Sequence, residues 1–127
     1  MNALTAAPML TLLVPGGKPR PGELAMTGPL ALASLAALRF DTAVLGCCGL
    51  TAADGLTAYD LDDAAVKRAA IASSRRVIAV AESTKLSRTA LAFVAPASAL
   101  HAVVTDESAD AAETAALTDA GVIVRKV

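Results

Sequence analysis

"DDAAVKRAAIASSRRVIAVAESTK", residues 62–85, decides the fold class. Asp62 and Asp63 stand in the first turn of a helix that Asp60 can cap, and Arg75 and Arg76 follow its end. That order of charges is the one a helix dipole favours. Val77 to Ala81, "VIAVA", then predicts a buried strand, and "ESTKLSR" a polar break. A helix leading into a short apolar strand is the repeating unit of a parallel sheet, with helices serving as the crossovers.

Elements on either side of this stretch extend the pattern. Upstream, Met9 to Val14, "MLTLLV", is a short apolar run stopped by "PGGKPRPGE", a loop by its three prolines and three glycines. Gly28 to Leu38 predicts a helix with Pro29 in its first turn. Its leucines at 30, 32, 35 and 38 cover a broad face, so it is expected to be largely buried. Thr42 to Leu45 predicts a strand that runs into a loop containing Gly46, Gly49 and Gly55. Downstream, Ala90 to Val94 reads as a short extended piece and His101 to Thr105 as a strand. Ala109 to Ala120 reads as a helix with Gly121 as its C-cap, and "VIVRKV" as a last strand. The expected architecture is therefore α/β: one domain with an open, mainly parallel sheet and helices on both faces, Rossmann-like.

Composition narrows the function classes. The 127 residues suit one domain, and hydrophobic residues make up 55% against 2% aromatic. Alanine carries much of that apolar count, which predicts a tight core with little area buried per residue. Net charge is −1, and basic residues form only short spots at Lys18/Arg20, Lys67/Arg68, Arg75/Arg76 and Arg125/Lys126. Direct nucleic-acid binding by this chain is not expected. The two cysteines, Cys47 and Cys48, are adjacent, which makes a strained staple, and no Cys/His spacing suits a metal. A reducing, cytoplasmic setting fits this usage. The first residues lack the basic start of a signal peptide and the length of a membrane span.

In open parallel sheets, ligands sit outside the carboxyl ends of the strands. Two such ends are rich in chemistry here, after Leu45 and after Ala81. Gly46-x-x-Gly49 with Gly55 is neither a dinucleotide nor a triphosphate fingerprint. It fits either a tight turn or a loop whose amides approach a small oxygen-rich ligand. Glu82, Ser83, Thr84 and Lys85 offer hydroxyl donors and a point charge suited to a phosphate or polyol, or else form an ordinary polar loop. Lys67 lies four residues after Asp63; spacing alone favours an exposed ion pair over a cation aimed into a cleft. Lys18 and Arg20 read as a solvated basic loop, His101 as structural, and the cysteines as packing residues. No set of catalytic residues, metal ligands or cofactor motif assembles, so none of these is expected.

Taken in order, these pieces resemble the carboxy-terminal effector domain of DeoR-family transcriptional repressors. "LLVPGGKPR" is similar to that family's strand followed by Gly-Gly-x-x-Arg, and Gly28 to the glycine that opens its next helix. "FDTAVLGCCGLTAADGLT" resembles its Asp-x-Ala-(apolar)-x-Gly-x-x-Gly segment and later Gly-(apolar)-Thr. "DDAAVKRAAIASSRRVIAVAESTK" resembles its Val-Lys helix, strand and Asp-x-Ser-Lys loop, with Glu82 in place of the aspartate. "HAVVTD" and "AGVIVRKV" resemble its closing strands. The resemblance implies the fold shared by pentose-phosphate isomerases and CoA-transferases, and a homo-oligomeric sensor for a phosphorylated sugar or related metabolite. By position, Gly16, Gly17, Gly46 and Gly49 would shape the pocket, with Lys67, Lys85 and Arg20 as its cations. DNA would be reached only through an amino-terminal helix-turn-helix that these residues do not include, and no membrane is implied. Asn2 resembles the asparagine of the family's Thr-Asn-Ser segment, so the resemblance implies a chain that begins mid-domain, after the Ser-Gly-Thr-Thr type loop. Two other readings are a small isomerase-like enzyme with Glu82 as base, and a fragment that acts only by association.

Overall fold

Residues 18–19 and 26–127 are described by a computed structural model. The apolar run at 9–14 and the site residues Gly16, Gly17 and Arg20 lie outside the described residues. Two short strands, β1 (Lys18–Pro19) and β2 (Met26–Thr27), pair antiparallel ahead of the first described helix. Helix α1 (Pro29–Ala36) begins after Gly28, whose φ of 91° is one that glycine adopts without strain, and Pro29 fills the first turn. The broad burial expected of α1 is not found. Only Ala31 is buried, while Leu30 stays 69% exposed, because the helix packs along one narrow face against α2 (Leu61–Ala72).

Among the described residues, four strands form a parallel sheet in the order β3 (Phe40–Gly46), β6 (Ser74–Val80), β8 (Ala102–Thr105) and β9 (Ile123–Lys126). The chain steps across this sheet in one direction. Right-handed crossovers then bring α2 and α3 (Ala111–Asp119) to the same face. That face is closed: Val77, Ala79 and Val103 share one core cluster with Ala64 of α2 and Leu117 of α3. Of the helices expected on both faces, the described residues supply those of one. Side chains of the opposite face remain open, with Val44 at 64%, Val80 at 47% and Ile123 at 58%. The class itself is as expected, α/β and Rossmann-like.

Local chemistry explains the helix limits. The Asp60 carboxylate accepts from the Asp63 amide at 2.9 Å, and the Asp110 carboxylate from the Glu113 amide at 3.0 Å, so both helices carry acidic caps. Gly121, at φ 93°, turns the chain out of α3 as the Val122 amide donates back to the Leu117 carbonyl. His101 is structural: its Nδ1 accepts from the Val77 amide and its own amide donates to the Val77 carbonyl.

The segment read as a glycine loop is instead a hairpin. Strands β4 (Gly49–Thr51) and β5 (Gly55–Ala58) pair antiparallel, and β7 (Ala92–Ala95) adds to β5, giving a second, three-stranded sheet. Gly55 closes the turn at φ 79°, where a Cβ would collide with the Ala95 carbonyl oxygen. Leu50 and Leu56 face each other across the hairpin, both fully buried. With Leu117 they are the largest fully buried side chains of a core rich in alanine and valine.

Candidate ligand-binding site at the strand tips

Strands β3 and β6 are neighbours in register, with Leu45 opposite Ala79 and Gly46 opposite Val80. Their carboxyl ends therefore stand side by side. At this edge lies a cavity of about 280 Å³, lined by Gly46, Cys47, Cys48, Tyr59, Asp60, Asp63 and Lys67. Three elements supply it: the end of β3, the end of β5 and the first two turns of α2. A Cβ placed on Gly46 would meet nothing within 4 Å, so the backbone there is open to a ligand.

Lys67 is held at 3.0 Å from the Asp63 carboxylate. The ion pair favoured from spacing is present, but its position differs from that reading. Both side chains are only 15% exposed and both line the cavity, since this flank of α2 faces the β3 tip rather than solvent. Lys85 sits in the single 3-10 turn Ser83–Lys85 that follows β6. The Cys47 thiol reports the charge at this place. Burial pushes it up to about 11, Cys48 adds to the rise, and the positive charges of Lys67 and Lys85 oppose it. Two lysines from different elements thus act on one wall of the cavity.

Asp106, one residue beyond β8, fixes the lysine-bearing turn. One carboxylate oxygen accepts from the Ser83 amide and the other from the Ser108 amide, both at 2.9 Å. The bonds to Ser83, backbone first and then hydroxyl, and that to the Ser108 amide hold the carboxyl below its ordinary range. Asp106 therefore ties the tip of β8 to the tip of β6. Glu113 of α3 does similar work for the hairpin, accepting from the Ala52 amide at 2.9 Å.

Of the residues singled out from the sequence, Gly46 and Lys67 line the cavity, whereas Lys85 sits on the turn after β6 and is not among the lining residues. Gly49 does not line the cavity. Its missing side chain makes room for the Arg88 carbonyl oxygen and the Thr57 hydroxyl, which a Cβ would approach to 2.6 and 2.8 Å. Tyr59, Asp60 and Asp106 escaped the sequence reading as site residues. The position of Asp106 at the end of "HAVVT" marked it as a strand-tip residue, whereas Tyr59 becomes visible only once the hairpin is recognised. A second cavity, about 330 Å³ and lined by Arg39, Phe40, Asp41 and Ala72 to Arg75, lies at the opposite, amino ends of β3 and β6. Arg39 is partly committed there, donating to the Ala36 and Leu38 carbonyls. Ligand chemistry in open parallel sheets belongs to the carboxyl ends, which favours the smaller cavity. Among the described residues no cluster of His, Cys, Asp or Glu is placed to hold a metal ion, and no helix is long and apolar enough to cross a membrane.

An open parallel sheet with a small, charged cavity at its strand tips defines the chain as an α/β, Rossmann-like domain with a candidate binding site. The chain belongs to the DeoR C-terminal sensor domain family, whose model matches residues 1–107. It is 28% identical over 118 residues to the glycerol-3-phosphate regulon repressor of Escherichia coli, covering 93% of this chain and 47% of that protein. It is 30% identical over 109 residues to the HTH-type transcriptional regulator GlpR of Haloferax volcanii, covering 86% and 43%. A third relative, the HTH-type transcriptional repressor CsqR of Escherichia coli, is 29% identical over 112 residues, covering 88% and 43%. The chain thus spans about half the length of the curated relatives it matches.

Proposed function

We propose that this chain is the effector-sensing part of a DeoR-type transcriptional repressor, and that its strand-tip cavity takes a phosphorylated sugar or a related small anionic metabolite. Lys67 in the cavity wall, beside the open backbone of Gly46, carries the reading. A phosphate needs cationic donors, which Lys67 in the cavity wall and Lys85 on the turn after β6 offer. A polyol needs carboxylate acceptors, and Asp60 and Asp63 stand in the same wall. One relative is named for the glycerol-3-phosphate regulon, which fits a small phosphorylated polyol as the class of ligand. In this reading the domain senses and does not catalyse, works in the cytoplasm, and reaches DNA through a separate helix-turn-helix.

Calorimetric titration with a panel of phosphorylated sugars and polyols tests the proposal. Saturable binding to at least one member is expected, weakened about tenfold or more in Lys85→Ala, the loss of one charge-assisted contact. Binding that ignores both Lys85→Ala and Lys67→Ala would refute the site.

A further inference from the structure

The sequence offers Cys47 and Cys48 as packing residues, but the fold sets both at one place. They are the only cysteines of the chain, they follow the end of β3, and their thiols are free. Both line the strand-tip cavity beside Gly46. Each is half-buried and packs against the hydrophobic core, so the fold holds the pair in position. Burial pushes the Cys47 thiol up to about 11 and Cys48 adds to that rise, which places the two groups near enough to interact. Beside them the backbone of Gly46 is open, with nothing within 4 Å of where a Cβ would stand.

We propose that Cys47 and Cys48 form a chelating site for trivalent arsenic, taken up as arsenous acid or as an arsenical with one organic substituent. Both sulfurs bond to one arsenic atom. Each thiol displaces one hydroxyl group of the arsenical: an As–S bond forms while the S–H and As–O bonds break, and the proton leaves with the hydroxyl as water. No electrons are transferred, and arsenic stays trivalent. The site suits this chemistry. Thiols and arsenous acid are uncharged and release only water, so the burial that keeps Cys47 protonated does not oppose the product. A divalent metal ion needs thiolates and more than two ligands. Among the described residues no third His, Cys, Asp or Glu completes such a set. Joining the two sulfurs directly closes a strained ring, whereas an arsenic atom between them widens it. The open space at Gly46 has room for the third substituent of the arsenic. The second thiol attaches intramolecularly, which strengthens binding roughly 10²–10⁴-fold over a single thiol. The inference is independent of which metabolite the cavity takes.

Titration with phenylarsine oxide to equilibrium, with the thiols kept reduced by a phosphine, tests it by native mass spectrometry. A one-to-one adduct is expected, heavier by the reagent less one water, the mass that marks bonds to both thiols. Cys47→Ser and Cys48→Ser should each lower the affinity at least about a hundredfold, because a single thiol does not chelate. Circular dichroism checks that each variant is folded. Thermal unfolding of the unaltered chain provides a second readout, since a ligand that prefers the folded site raises the midpoint. No adduct, an adduct that keeps the water, an affinity indifferent to either serine, or a lowered midpoint would each overturn the proposal.

Discussion

Replacing Gly49 with alanine separates a packing glycine from a ligand-cradling one. The new Cβ would stand 2.6 Å from the Arg88 carbonyl oxygen and 2.8 Å from the Thr57 hydroxyl, distances that real Cβ atoms do not tolerate. Neither neighbour can give way cheaply. The Arg88 oxygen is backbone, and the buried Thr57 hydroxyl donates to the Gly49 carbonyl at 3.2 Å while accepting from the Ala90 amide at 2.8 Å. Overpacking costs about 1–3 kcal/mol, and leaving a buried hydrogen-bonding group unmatched about 1–3 kcal/mol more. Shared relaxation makes the two less than additive, so a loss of roughly 2–4 kcal/mol is expected, a large share of the 5–15 kcal/mol typical of a domain. Urea unfolding followed by circular dichroism measures it. In the same protein, affinity for a phosphorylated ligand under native conditions should stay within about threefold, since Gly49 is not part of the cavity wall. Stability within ~0.5 kcal/mol of the parent combined with a large loss of affinity would refute the assignment.

Other expectations follow from the same geometry. Leu56→Ala, at a fully buried position opposite Leu50, should cost about 2–5 kcal/mol in urea unfolding. Asp106 has a folded-state pKa depressed below its ordinary 3.8, so its contribution is present above that pH and lost as pH falls through the folded value. Acid titration followed by NMR should therefore release the Ser83 amide at a pH below about 4, and Asp106→Asn should remove this pH dependence. Cys47 shifts the other way, from 9.0 to about 11, so the stability it confers is full below pH 9 and fades as pH rises through 11. In native protein at pH 8 its alkylation should be slow, and unfolding in urea should speed it.

Much of this was legible in the sequence where the cause is local. Asp60 caps α2 through its own side chain and Gly121 ends α3 by its conformation, so these residues announced those limits, whereas Asp110, the cap of α3, was read as lying inside a helix from Ala109. The short apolar runs at 77–81 and 101–105 became neighbouring parallel strands for the same reason. The hairpin is a different case. Leu50-Thr51 and Leu56-Thr57 alternate on either side of Asp54-Gly55, the pairing and turn signal of a hairpin, but three glycines and two cysteines masked it as a loop. The burial of α1 was over-read because four leucines gave it a broad apolar stripe, whereas among the described helices it packs on α2 and Ala31 is its only buried residue. At the site, strand-tip placement pointed to Gly46 and Lys85. The reach of Lys67 depended on how α2 lies over the β3 tip, and the clamp by Asp106 on a contact 23 residues away. Neither can be seen from spacing along the chain.

The central claim is that an anion is held at the carboxyl tips of β3 and β6. Amide NMR with a titrated phosphorylated sugar or glycerol phosphate tests it most directly. Saturating shifts are predicted at Gly46 to Cys48, at Ser83 to Lys85 and around Lys67. Shifts confined to Arg39–Asp41 and Ala72–Arg75, at the amino ends of the same strands, would contradict it.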